Sequence, residues 1–190
     1  MTELAQTLTQ EQLKYLELLA QSYPNIQAAS TEIINLRAIL NLPKGTEHFI
    51  SDIHGEYECF THILRNASGS IRRKIEESFG EELPTEQKNL LATLVYYPER
   101  KLAELRRAHK LTPEWYRDIL YQLVTVCRAA TSKYTRSKVR KALPADFQYI
   151  IDELINTDER NPNRQEYFER IVDTIIEIER AEAFVIALCQ

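Results

Sequence analysis

Phe49-Ile50-Ser51-Asp52-Ile53-His54-Gly55 is the stretch on which the reading of this 190-residue chain turns. An apolar run ending in Asp-x-His-Gly sets a carboxylate and an imidazole two residues apart. On an extended strand both would point to the same side. Gly55 then allows a sharp turn, or close passage of the backbone beside an ion. The spacing predicts one short strand over Glu47 to Asp52, with His48, Ile50 and Asp52 on one face and Phe49 and Ser51 on the other. A lone strand leaves its backbone groups unpaired. No other segment reads as a comparable strand, so its sheet is expected in a short irregular segment or outside the chain.

Outward from that corner the chain reads as predominantly α-helical. There are only four glycines, Gly45, Gly55, Gly69 and Gly80, each at a break between apolar-periodic segments. Pro24, Pro84, Pro113, Pro144 and Pro162 precede amphipathic runs, as proline does at a helix start, while Pro43 and Pro98 follow them. Helices are expected over 9–22, 24–41, 56–66, 70–79, 84–96, 99–109, 113–132, 144–156 and 162–189. Thr9 with Gln12 forms a capping-box pattern. Stripes at helical spacing include Ile26, Ala29, Ile33, Leu36 and Leu40, then Tyr116, Ile119, Leu120, Leu123 and Cys127, then Phe168, Ile171, Val172 and Ile175. Their ordinary meaning is helix packing.

Composition narrows the class. Hydrophobic residues make up 44% and charged residues 27%, the balance of a globular chain with a real core. No apolar run approaches the roughly 18 residues of a membrane span, and the N-terminus lacks the basic start and apolar centre of a signal peptide. Cys59, Cys127 and Cys189 are odd in number and form no CxxC pair, which argues against a disulfide framework or a zinc knuckle. Buried structural thiols and a cytoplasmic location are the expectations. The C-terminal run Ala183 to Gln190 lacks a glycine cap or a basic last turn, so the chain is expected to be cut from a longer one.

Charge is uneven. Residues 99–141 carry a net +8 and residues 142–190 a net −7. A basic helical face docked on an acidic one, or simply solvated, is the plain reading. The sharper one places some of Arg136, Lys138, Arg140 and Lys141 on a phosphate-facing surface. Nucleic acid comes third, since the overall charge is −4 and no binding motif is present.

As a metal site, Asp52 offers a hard oxygen and His54 a borderline nitrogen, a pair suited to manganese, iron or zinc. Two ligands are too few, because a useful site takes at least three from protein plus a water. The competing reading makes Asp52 the cap of a helix starting near Glu56 and His54 a surface imidazole. Spacing alone leaves both open.

The stretch from Thr31 through Leu102, above all FISDIHGEYECFTHILRNASGSIRRKI, resembles the N-terminal portion of the bacterial class III fructose-1,6-bisphosphatases, and SKYTRSKVRKALP (Ser132 to Pro144) resembles the helical region that family inserts after its first motif. The resemblance implies the N-terminal part of an α/β calcineurin-like metallophosphoesterase fold. Residues 1–66 would hold N-terminal helices with the first strand and motif, and residues 67–190 the helical insertion. It implies hydrolysis of the 1-phosphate of fructose 1,6-bisphosphate in gluconeogenesis, with a divalent metal pair, typically Mn²⁺, of which Asp52 and His54 would ligate one ion. The family's later motifs, GDxxDRG and GNHE, have no counterpart, although 136 residues follow His54. The implied partners are the sugar bisphosphate and the remainder of the catalytic domain, with no nucleic acid and no membrane. The chain alone is expected to be inactive, with an exposed strand, an exposed C-terminal helix face and a tendency to self-associate. Two alternatives stay open: a fragment of another metallophosphoesterase, or a non-enzymatic helical interaction module.

Overall fold

The computed structural model describes residues 8–42, 47, 49–66, 69–157 and 162–190. The chain divides into two compact units, Met1–Lys44 and Gly45–Gln190. The first holds α1 (Gln10–Ser22) and α2 (Ile26–Ile39). Thr9 caps α1 through the full capping box: its hydroxyl accepts from Gln12 N at 3.2 Å, and Gln12 Oε1 accepts from Thr9 N at 2.9 Å. Asn25 caps α2 by accepting from Ala28 N at 2.9 Å. Local chemistry therefore sets both helices, but neither buries a residue. The α2 stripe expected to pack is instead open to solvent, with Ile26, Ile33, Leu36 and Leu40 all exposed.

The second unit is an all-helical bundle of α3 (Tyr57–Asn66), α4 (Ser70–Phe79), α5 (Thr85–Tyr96), α6 (Pro98–Arg107), α7 (Pro113–Thr131), α8 (Arg136–Ala142), α9 (Gln148–Asn156), α10 (Pro162–Glu177) and α11 (Ala181–Cys189). A single 3₁₀ turn, Ala145–Phe147, leads into α9. The central member is α7, which packs against α4, α5, α9, α10 and α11. Its start is specified twice, by Thr112 accepting from Trp115 N and by Pro113 in the first turn. Its buried stripe, Ile119, Leu120, Leu123, Val124 and Val126, meets Leu91 and Leu94 of α5, Leu154 of α9, Phe168 and Val172 of α10, and Phe184 and Val185 of α11 in one core. Full burial of such side chains stabilises by about 1.5–3 kcal/mol each. Ring contacts order the layers: Tyr121 against Phe168 at 4.8 Å, and Phe147 edge-on to Phe184 at 5.1 Å.

Four expectations are corrected. The segment after Glu47 forms no strand, and no strand exists among the described residues. Phe49 is 92% exposed, so nothing supplies the paired neighbour and covered face a strand requires. His48, Pro43, Lys44 and Gly45 lie outside the described residues. The expected helix over 162–189 is two helices, α10 and α11, broken at Ile178–Arg180. Arg180 N donates to Ile175 O and Glu179 N to Ile176 O, both at 3.0 Å, with Glu179 left-handed at φ 57. This is a Schellman end built without its usual glycine. Arg136–Ala142, absent from the helices expected by pattern although inside the stretch that resembles the family's helical region, is a helix capped by Thr135. Pro98 follows α5 as expected and also opens α6 from its first turn. As a consequence of the α10–α11 reversal, α11 folds back into the bundle and buries Ala181, Phe184, Val185, Ala187 and Leu188. The C-terminal helix face expected to be exposed is core. No helix among the described residues is long and apolar enough to cross a membrane.

Candidate functional site

Asp52 and His54 sit on the loop that leads into α3, and both are exposed. Glu56 N donates to Ile53 O at 3.0 Å, closing a turn whose two central residues, His54 (φ 53) and Gly55 (φ 75), are both left-handed. That is the pattern of a type I′ turn. Left-handed backbone costs an L-residue about 1–2 kcal/mol, though histidine adopts it more readily than most. A Cβ on Gly55 would meet nothing within 4 Å, so glycine is required by dihedral rather than by space. The turn makes Asp52 and His54 neighbours on one short corner. It does not place them on a strand.

The corner connects to the bundle through α3. His62 Nδ1 and the Tyr97 hydroxyl share a hydrogen bond. Asn66 Nδ2 donates to the same hydroxyl at 3.3 Å. Arg65 donates to Tyr96 O at 3.0 Å and lies over the Tyr97 ring at 5.5 Å. No α3 residue is buried, so these polar contacts to the α5–α6 junction carry the docking. Sequence spacing gave no sign of this clasp, because its members lie more than thirty positions apart.

Among the described residues, no backbone N–H in the first turn of α3 donates to Asp52, so the capping reading finds no support. No group of three or more His, Cys, Asp or Glu able to hold a metal forms among them either. Asp52 and His54 alone do not fit a bound divalent ion, which needs further ligands. His62 belongs to the Tyr97 clasp, and His109 ends α6, where Lys110 N donates to Leu105 O at 3.0 Å.

The charged halves meet as the plain reading expects. Arg106 pairs with Glu182, and Arg117 reaches Asp173 Oδ1 through Nη2 at 2.7 Å and Nε at 3.1 Å. The buried Asp152 receives Arg136 at 3.1 Å, Arg140 Nε at 3.7 Å and Asn156 Nδ2 at 3.0 Å. Hydrogen bonds donated to these carboxylates raise the pKa of Arg106, Arg117 and Arg136 above the ordinary guanidinium value. Arg136 and Arg140 are therefore committed to joining α8 to α9. The same two line a shallow cleft with Ser137, Lys141 and Gln148, in which Lys141 is the remaining cation.

All three cysteines are free thiols. Cys59 is exposed on α3, contrary to the expectation of burial. Cys127 and Cys189 meet it in part, being partly buried against the core; desolvation there pushes the Cys127 thiol up to about 12 and raises that of Cys189 as well, which keeps both protonated.

With this geometry, an all-helical bundle carrying an Asp-x-His-Gly turn at one edge, the chain belongs to the Firmicute fructose-1,6-bisphosphatase family, whose model matches residues 14–190. The particular relatives are fructose-1,6-bisphosphatases of class 3. That of Clostridium botulinum strain Loch Maree is 56% identical over 181 residues, and that of Clostridium novyi strain NT is 57% identical over the same length. In both cases the match covers 95% of this chain but 27% of the relative. The chain thus spans about a quarter of their length, an N-terminal portion. No solved structure matches it significantly.

Proposed function

We propose that this chain is the N-terminal part of a metal-dependent fructose-1,6-bisphosphatase, a hydrolase that releases the 1-phosphate of fructose 1,6-bisphosphate in gluconeogenesis. The observation that carries the reading is the match to class 3 relatives along 95% of the chain, which spans the Asp52-Ile53-His54-Gly55 turn. In this reading Asp52 and His54 supply two ligands of a divalent metal site, with manganese the expected ion. The further ligands would come from the remainder of the catalytic domain. Residues 67–190 are the helical insertion after the first motif, and the enzyme is cytoplasmic. The 190-residue chain is inactive by itself, because among the described residues no group of three ligands forms around the pair.

A second reading, a non-enzymatic helical interaction module, has one observation in its favour: α11 buries its apolar face in the core of the bundle. Turnover separates the two. The purified chain should hydrolyse no fructose 1,6-bisphosphate with Mn²⁺, and the same chain continued by the part of the C. botulinum relative beyond the match should do so. Asp52→Ala and His54→Ala in that continued protein should each lower bound manganese and reduce kcat/KM at least 100-fold, about 2.7 kcal/mol of transition-state stabilisation. Activity in the isolated chain would overturn its inactivity. Unchanged metal content and turnover in both variants would overturn the ligand assignment.

A further inference from the structure

The bundle is not closed on every side. Between α7, α8, α9 and α11 lies an apolar cavity of about 430 Å³, open to solvent, whose walls include Ile71, Ala130, Val139, Leu143, Ile155 and Leu188. Polar groups stay at its edge, where Lys138 Nζ sits 4.7 Å from the centroid of the Tyr134 ring. A second cleft, of about 410 Å³, adjoins it and is more polar, with Arg65 and Glu99 in its wall. The two share Ile71, Val95, Cys189 and Gln190, and so form one groove that passes the end of α11.

A site for a small polar metabolite needs convergent polar groups to fix its ligand. The apolar half of this groove has none, and its two thiols, Cys127 and Cys189, are held protonated by burial. Its make-up suits polypeptide: an apolar floor for large side chains, and an arginine and a glutamate at one end for backbone or polar side chains. The class 3 relatives supply that polypeptide, since about three quarters of their length lies outside the match. Gln190 stands where the two halves of the groove join, so a chain continuing from it enters without crossing open solvent.

We propose that this groove is the docking site of the polypeptide that follows position 190 in the longer protein. Its first apolar side chains fill the space between α7 and α8. The proposal rests on the reading of the chain as part of a longer catalytic polypeptide, and specifies where that remainder attaches. It makes α8 a clamp: Val139, Ala142 and Leu143 form one wall, and the ion pairs to Asp152 hold that wall against α9.

The test uses the apolar dye 1-anilinonaphthalene-8-sulfonate on three proteins: the 190-residue chain, that chain continued by the remainder of the C. botulinum relative, and the full-length relative itself. The chain should bind one dye molecule, and Ala130→Phe or Ala142→Phe should weaken that binding at least fivefold while near-ultraviolet circular dichroism stays native. The continued chain and the full-length relative should lack this dye site, and amide exchange over 136–142 should slow at least tenfold in the continued chain. If the continued chain fails to fold, the relative decides: truncated at the position matching Gln190, it should gain the dye site. A folded longer protein that still binds dye in the groove would overturn the proposal. So would dye binding lost in step with dimer formation in sedimentation, which makes a second copy the occupant. A co-purified small molecule displaced by the dye would overturn it equally. Turnover is read separately, so an occluded groove without hydrolysis would sink the proposed activity and spare the docking site.

Discussion

His54, His109 and Glu179 are non-glycine residues held at φ between 53 and 57. Two of them end helices. Glu179 closes α10 and His109 closes α6, each in the position where a Schellman motif normally uses glycine. The side chain at such a position gains nothing from the motif and carries the left-handed penalty of about 1–2 kcal/mol, part of which glycine returns as chain entropy. Glu179→Gly and His109→Gly are therefore expected to raise unfolding free energy by about 0.5–1 kcal/mol each in urea titrations. A loss of stability in either would mean that the side chain makes a contact outweighing its backbone cost. His54 differs, because it opens no helix end. It sets the direction of the Asp-x-His-Gly corner, and strain kept at such a corner is a common mark of functional sites. The same residues explain why 162–189 looked like one helix: with no glycine or proline at 178–180, the sequence carried no punctuation for the turn that buries α11.

At the scale of elements, α8 shows what holds a short helix in place. It is seven residues long, below the length at which isolated helices persist, and Val139 is its one buried residue. Its attachment is electrostatic. Arg136 and Arg140 converge on Asp152, whose side chain is 8% exposed, while the two arginines are 62% and 60% exposed. Removing the carboxylate leaves solvated cations, so the cost falls well short of a buried pair broken on its buried side. Asp152→Ala is expected to lower stability by about 1–2 kcal/mol, and Arg136→Ala by clearly less, because its guanidinium is solvated and Arg140 remains. Amide exchange over 136–142 should rise in Asp152→Ala while exchange in the centre of α7 holds. Equal acceleration in both would mean that α8 is part of the global folding unit and not an attached clamp. The opposed charges of residues 99–141 and 142–190 foretold this docking, and amphipathic stripes located α7 and α10. The strand could not be tested by pattern, since pairing depends on a partner segment and not on the alternation of residues 47–52.

Across the whole molecule, what was legible and what was not divides along the difference between local and distant contacts. Caps, prolines and stripes are local, and they place eight of the eleven helices among the described residues to within a few positions, with α10 and α11 read as one and α8 missed. The α3 clasp on Tyr97 and the groove beside Gln190 arise from residues far apart in sequence, and the Asp52–His54 corner needs partners that the described residues do not hold. The core itself carries a titration signature. Cys127 and Cys189, on α7 and α11, are both shifted upward by burial from the ordinary thiol value of 9.0. A folded-state pKa above the unfolded one means that the unfolded chain loses its protons first. Their contribution is therefore fully present below pH 9 and declines as pH rises through the interval up to about 12. Each thiol should cost about 1.4 kcal/mol per pH unit in that interval, with Tyr116, also raised by burial from its ordinary value of 10.0, adding to the decline above that pH. The urea midpoint should accordingly hold steady between pH 6 and 8.5 and fall steeply above about pH 9. In Cys127→Ala the neutral-pH midpoint should drop for the lost side chain, and the alkaline slope should shrink by about half. An unchanged slope would show that both thiols ionise without unfolding the bundle, and that the space between α7 and α11 admits water.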